Sequence, residues 1–267
     1  MPQKVKLYPG TYKNYSEEIY KQIRIETFGE DIGQNSWLTA GEFRDIITTL
    51  GINSSSNVLE IASGSGGPAV FMASETGCKL TGVEYDINGV ENSKKLASGS
   101  GPGINAEFIH ADASETLPFE NGLFDSIFCV DAINHLKNRN KVLKEFYRLI
   151  KPGGKLLYID PVVVTGILSN EEIAIRSSIG YFLFTPLNEN EKLLRDAGFS
   201  DIKSSDSTAN IITISQKWLE ARQSRKNELV EIEGEQTFIG LQEFFKMVHT
   251  LSSEKRLSRF TYTAAKI

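Results

Sequence analysis

The chain has 267 residues, 40% hydrophobic and 24% charged, which is the make-up of an ordinary globular protein with one sizeable core. Its net charge of −5 gives no electrostatic reason to expect a nucleic-acid partner. Two distant cysteines, Cys78 and Cys129, argue against a zinc site or a disulfide, and no apolar run is long enough for a signal peptide or membrane span, so a cytoplasmic protein without a metal is expected.

Residues 1–56 read as a helical cap, with helices in "SEEIYKQIRIETFG" and "AGEFRDIITTLG". From Asn57 short apolar runs alternate with helical patterns, the mark of parallel βαβ units. "NVLEIA", "KLTGVEY", "AEFIHA", "DSIFCVD" and "KLLYID" are the expected strands. "GPAVFMASETG", "INGVENSKKLAS" and "NRNKVLKEFYRLI" are the helices between them, the last stopped by "KPGG". Beyond Asp160 "SNEEIAIRSSIGYFLF" and "NENEKLLRDAGF" look helical, and "SDIKSSDST" holds a sixth strand. Two long helical stretches, "ISQKWLEARQSRKNELVEI" and "GLQEFFKMVHTLSSEKRL", carry mixed charge and apolar residues at helical spacing, as core-packing helices do. The expected architecture is one α/β domain over 57–267, with a helical insertion at about 161–250 and a final strand in "SRFTYTAAKI".

The first strand runs into "EIASGSGGPA", where Gly64, Gly66 and Gly67 let the backbone approach a ligand and Pro68 opens a helix. Such a turn suits a dinucleotide phosphate or the amino-acid end of S-adenosylmethionine. Glu84 closes the second strand, where an acid can accept both hydroxyls of a ribose. Asp112 closes the third, where a carboxylate can accept from an adenine amine and the Ala113 N–H can face a ring nitrogen. A nicotinamide-dependent oxidoreductase would use the same turn, and a non-catalytic S-adenosylmethionine-binding protein would keep the same acids. Cys129 reads as a core residue, His110 as packed or solvated, and His249 as a solvated residue near a helix end.

The set "VLEIASGSGG", "LTGVEYD", "FIHADAS", "LPFENGLFDSIFCVDAINHL" and "LIKPGGKLLYID", in this order over 57–160, resembles the class I S-adenosylmethionine-dependent methyltransferases. The resemblance implies a Rossmann-like, seven-stranded, mostly parallel sheet with an antiparallel last strand. It carries cofactor roles to Glu60, Gly64, Ser65, Gly66, Glu84, Tyr85, Asp112 and Ala113.

Asp131 and His135, in "VDAINHL", follow strand four on the edge where the reacting methyl is expected, and histidine is the side chain matched to proton transfer near neutral pH. The opening "NYSEEIYKQIRIETFGED" is similar to that of the phosphoethanolamine methyltransferases, which also carry "DAI-HL" after strand four. That likeness implies a lid tyrosine, Tyr15, hydrogen-bonded to the base His135, and a lid contact to the cofactor at Gln34. By its place on the sheet edge Asp131 is expected to face the same pocket and the cofactor. No task falls to Asn134. The sequence departs from the group where a phosphate would be held: Pro161 follows Asp160, and "RSSIGYFLFTPLN" offers only Arg176 nearby as a cation. "PVVVTGIL" and "GYFLF" suggest a more apolar pocket. The expected activity is methylation of a nitrogen or oxygen on a small-molecule acceptor.

Overall fold

The structure, a computed structural model, describes residues 7–267, with side chains from Gly10 onward. Among the described residues three helices precede the sheet: α1 (Leu7–Lys13), α2 (Glu18–Phe28) and α3 (Ala40–Leu50). The first was not expected, since "LYPGTYK" contains both glycine and proline. Tertiary docking holds it instead: the Asn92 side chain donates to the Tyr12 carbonyl at 2.7 Å. By contrast α3 is marked in the sequence, with the Thr39 side chain accepting from the Glu42 N–H and Gly51 in the left-handed region at its end.

The sheet core alternates β1 (Asn57–Ile61), α4 (Gly67–Thr76), β2 (Lys79–Glu84), α5 (Ile87–Gly99), β3 (Ala106–His110), β4 (Phe124–Cys129), α6 (Arg139–Leu149) and β5 (Ile150–Val164). Then follow α7 (Asn170–Arg176), β6 (Thr185–Pro186), α8 (Glu189–Ala197), β7 (Ser200–Asp206), α9 (Thr208–Ser224), α10 (Lys226–Glu233), α11 (Glu235–Ser253) and β8 (Leu257–Ala265). The strand order is β3-β2-β1-β4-β5-β8-β7, with the short β6 pairing β5 off this path. Among the described strands only β8 runs antiparallel to its neighbours, β5 and β7. The order reverses between β1 and β4, so a crevice opens at their carboxyl ends.

Strand alternation divides the core into two layers. Leu59, Ile61, Ile127, Cys129, Leu156 and Tyr158 face α6 and α8. Val58, Phe128, Leu157 and Ile159 face α3 and α4. Cys129 is therefore a core residue as expected, and burial pushes its thiol up. A third cluster joins α2 to α9, α10 and α11 through Ile19, Ile23, Trp218, Leu241 and Phe245. The two ends of the chain thus meet in one helical layer, tied by the Arg225–Glu26 ion pair and by Tyr20 donating to Glu233 at 3.1 Å.

Several boundaries differ from the sequence expectation, and the fifth strand already begins at Ile150, taking in "KPGG". The fifth strand does not stop at Asp160 but continues to Val164. Pro161 sits where the β5–β8 ladder is interrupted, between Asp160 and Val163, a position that needs no N–H. The valine run is accordingly sheet core rather than pocket wall. The helix expected over "SNEEIAIRSSIGYFLF" ends at Arg176, because the Leu183 N–H is taken by the Asn134 carbonyl and the segment crosses the crevice as an irregular strap. The long helix after β7 breaks at Arg225, whose guanidinium turns to Glu26.

Candidate active site

A cavity of about 470 Å³ lies over the carboxyl ends of β1, β2, β3 and β4, covered by the loop between α2 and α3 and by Ile179–Tyr181 of the strap. The glycine turn forms its floor. Gly64, with φ +55, lines it, and so do Ser65 and Pro68. Gly66 does not line the cavity. A Cβ there would lie 2.5 Å from Ser93 Cβ and 2.9 Å from Ser93 Cα, so its requirement for glycine comes from helix packing rather than from a ligand. At Gly67 a Cβ would collide with the Ile32 carbonyl, which lets the α2–α3 loop lie directly on the turn.

Glu60, at the tip of β1, is buried and lines the cavity, and its Oε2 has no hydrogen-bond partner. Burial, reinforced by the nearby Glu84, raises its carboxyl well above the usual range. A cationic ligand group would relieve both the missing partner and the burial cost. Glu84 spans the turn itself: its two oxygens accept from the Gly64 and Asp86 N–H groups, each at 2.8 Å. Burial raises its carboxyl too, against the pull of those N–H groups. Asp112 accepts from the Ser114 N–H at 2.8 Å, Ala113 lies beside it, and the exposed Tyr85 stands at the rim, all three lining the cavity. His110 lies outside the lining, with Nε2 on the Tyr85 carbonyl at 2.8 Å. His249 is held far from the site by the Ile212 carbonyl.

Three further sequence assignments change. Gln34 is fully buried but turned into its own loop: Oε1 accepts from the Ile32 N–H and Nε2 donates to the Glu30 carbonyl. Its neighbours Gly33, Asn35 and Ser36 line the cavity in its place. Asp131 does line the cavity, but its carboxylate is engaged elsewhere. It accepts from Arg259 Nε at 2.7 Å, Arg259 Nη2 at 3.1 Å and the Trp37 N–H at 2.9 Å. Burial opposes the charge on Arg259, and Asp131 with Glu42 more than offsets it. This buried cluster links β4, β8 and α3, and nothing local in "SRFTY" signals it. Finally, Tyr15 and His135 are not hydrogen-bonded. The Tyr15 hydroxyl donates to the Gly33 carbonyl at 3.3 Å, Arg24 lies 4.4 Å from its ring centroid, and burial raises its pKa.

His135 borders both the cavity and a smaller pocket beside it. Its Nδ1 meets the Tyr181 carbonyl at 2.8 Å. A carbonyl only accepts, so Nδ1 carries the proton and Nε2 is the acceptor nitrogen of the neutral ring. Burial pushes its pKa down to about 4, so the ring is neutral near pH 7. Phe182 packs against it at 4.6 Å, nearly edge to face. The smaller pocket, about 40 Å³, is walled by Trp37, Trp218, Phe244 and Phe245. The sequence gives Phe244 and Phe245 only a packing role, since their periodicity is that of a core helix, and assigns no role to Trp37 or Trp218.

A methyltransferase-domain family model matches residues 59–158, from β1 to β5. The parallel strands β1 to β5 and the acids at the strand ends fall within that matched span or directly beside it. The chain is similar to phosphoethanolamine N-methyltransferase 1 of Zea mays, 26% identical over 224 residues, covering 83% of this chain and 44% of that protein. Sarcosine/dimethylglycine N-methyltransferase of Halorhodospira halochloris is 27% identical, covering 70% of this chain and 67% of that protein. The chain spans less than half the length of the phosphoethanolamine relatives. In fold it is similar to phosphoethanolamine N-methyltransferase 2 of Haemonchus contortus bound to phosphomonomethylethanolamine and S-adenosylhomocysteine, with TM-score 0.81, 23% identity, and coverage of 98% of this chain and 60% of that one. The cyclopropane synthase MmaA2 of Mycobacterium tuberculosis reaches TM-score 0.82 at 13% identity, covering 98% and 99%.

Proposed function

We propose that the protein transfers a methyl group from S-adenosylmethionine to a nitrogen or oxygen of a small-molecule acceptor. The observation that carries this is Glu60: a buried carboxylate, unpartnered at Oε2, on the wall of a cavity floored by the glycine turn. Glu60 with the turn at Gly64 and Ser65 would hold the methionine end, Glu84 the ribose, and Asp112 with Ala113 the adenine. Bound there, the cofactor supplies an electrophilic methyl with a good leaving group already in place. The chain's own task is then alignment and exclusion of water.

The acceptor would enter the smaller pocket, and His135 would take the proton that its nitrogen or oxygen gives up as the methyl is received and S-adenosylhomocysteine leaves. A neutral imidazole fixed by the Tyr181 carbonyl suits that task. Tyr15 serves it indirectly, holding Gly33 and so the loop that covers the cavity. The relatives that methylate phosphoethanolamine and sarcosine-type amines favour nitrogen as the receiving atom.

Calorimetric titration with S-adenosylhomocysteine and with NAD tests the cofactor, and S-adenosylhomocysteine release from a panel of amines, phenols and carboxylates tests the transfer. NAD binding without S-adenosylhomocysteine binding refutes the reading. His135→Ala should lower turnover about a hundredfold while changing cofactor affinity little. Unchanged turnover removes the base.

A further inference from the structure

Asn134 sits beside His135 and is completely buried, yet neither its Oδ1 nor its Nδ2 has a hydrogen-bond partner. Burying an amide without partners costs stability, so a fold keeps one when something outside the chain completes it. The side chain lines the small aromatic pocket. Trp218 Nε1 is a second unpartnered group there, on a residue only 7% exposed. Arg176, 2% exposed, brings a guanidinium to the same pocket, 4.9 Å from the Phe182 ring centroid and 5.2 Å from that of Phe244. These three groups come from the turn after β4, from α9 and from α7, so only the tertiary fold assembles them.

We infer that Asn134, Trp218 and Arg176 anchor a carboxylate on the acceptor, so that the methylated substrate is a small aminocarboxylate. This rests on the methyltransferase reading above. Each of the three brings N–H donors, and the acid that shares the pocket, Asp131, is neutralised by Arg259. The pocket therefore favours an anionic guest. Asn134 Oδ1 adds one acceptor next to His135, which suits an amine N–H a few bonds from the carboxylate. Charge separates carboxylate from phosphate: among the described residues Arg176 is the one cation lining this pocket, which matches a monoanion, whereas a phosphate dianion calls for more.

The chain's two tryptophans, Trp37 and Trp218, both line this pocket, so intrinsic fluorescence reports its occupancy directly. The protein, free and saturated with S-adenosylhomocysteine, is titrated with N-methylglycine, phosphoethanolamine and ethanolamine. A saturable response to N-methylglycine is expected, at least about tenfold tighter than to phosphoethanolamine, with none to ethanolamine. Asn134→Leu should weaken N-methylglycine binding about tenfold or more while leaving the unfolding midpoint unchanged or raised, since it removes an unpartnered buried amide. Trp218→Phe keeps an aromatic side chain while removing the N–H and leaves Trp37 as reporter, and should weaken binding in the same way. S-adenosylhomocysteine binding without a carboxylate response, tighter phosphoethanolamine binding, or an Asn134→Leu variant that is destabilised with binding intact overturns the anchor. Failure to bind S-adenosylhomocysteine instead overturns the proposed function.

Discussion

Replacing Asp131 by asparagine takes one charge out of a buried cluster while keeping the residue's shape and its tolerance of the left-handed backbone, φ +53. The parent carboxylate accepts from Arg259 at 2.7 and 3.1 Å and from the Trp37 N–H at 2.9 Å, and Arg259 is fully buried. Removing one partner of a buried ion pair costs about 3–5 kcal/mol, because the other charge is stranded. Here Glu42 still accompanies Arg259, and the asparagine oxygen can still accept from Trp37. The expected loss is thus at the low end, about 3 kcal/mol, out of a total of about 5–15 kcal/mol for a domain. Urea unfolding measures it. Arg259→Met in the Asp131→Asn background should return part of the loss, since the stranded charge has gone. S-adenosylhomocysteine affinity should change by less than about threefold, as the carboxylate serves the fold rather than the ligand. Stability within about 0.5 kcal/mol of the parent, together with a tenfold or larger loss of affinity, would refute this reasoning and return Asp131 to the cofactor.

Cofactor binding should be proton-linked through Glu60. Its carboxyl is held above the ordinary range by burial and by Glu84, and pairing with an ammonium needs the carboxylate, so binding releases a proton and tightens as pH rises. Calorimetry in two buffers of different ionisation heat reads that proton, and Glu60→Gln should abolish it. His135 sets a second dependence. Its folded pKa of about 4 lies below the ordinary 6.5, so the unfolded chain binds the extra proton first. Stability from this group is intact above pH 6.5 and lost as pH falls towards 4, by at most about 3 kcal/mol. The difference between parent and His135→Ala unfolding curves at several pH values isolates it, and parallel curves would refute it. Gly67→Ala should push the α2–α3 loop off the glycine turn, costing about 1–3 kcal/mol and weakening cofactor binding, because the new Cβ meets the Ile32 carbonyl. Unchanged melting and affinity would refute that contact.

The strand and helix pattern from Asn57 to Asp160 was legible because each element there obeys its own local rule. Strands buried on both faces read as apolar runs, and the helices between them are bounded by Gly, Pro, Asn or Asp. Glu60, Glu84 and Asp112 were legible for the same reason, since a residue at the end of a parallel strand falls on the ligand edge whatever surrounds it. Tertiary structure decided the rest. Whether Asp131 faces a ligand or an arginine depends on Arg259, which is 128 residues away in sequence. Gln34 and Tyr15 were placed by likeness to a lid motif, but hydrogen-bonding partners within the covering loop direct their side chains. The small aromatic pocket had no local signature, because Trp218, Phe244 and Phe245 sit on apolar helix faces as core residues do, and Trp37 reaches them from the α2–α3 loop. Periodicity shows which face of a helix is apolar but not what that face covers. Here it covers in part a neighbouring helix and in part the space beside His135, and only the meeting of the chain's two ends distinguishes them.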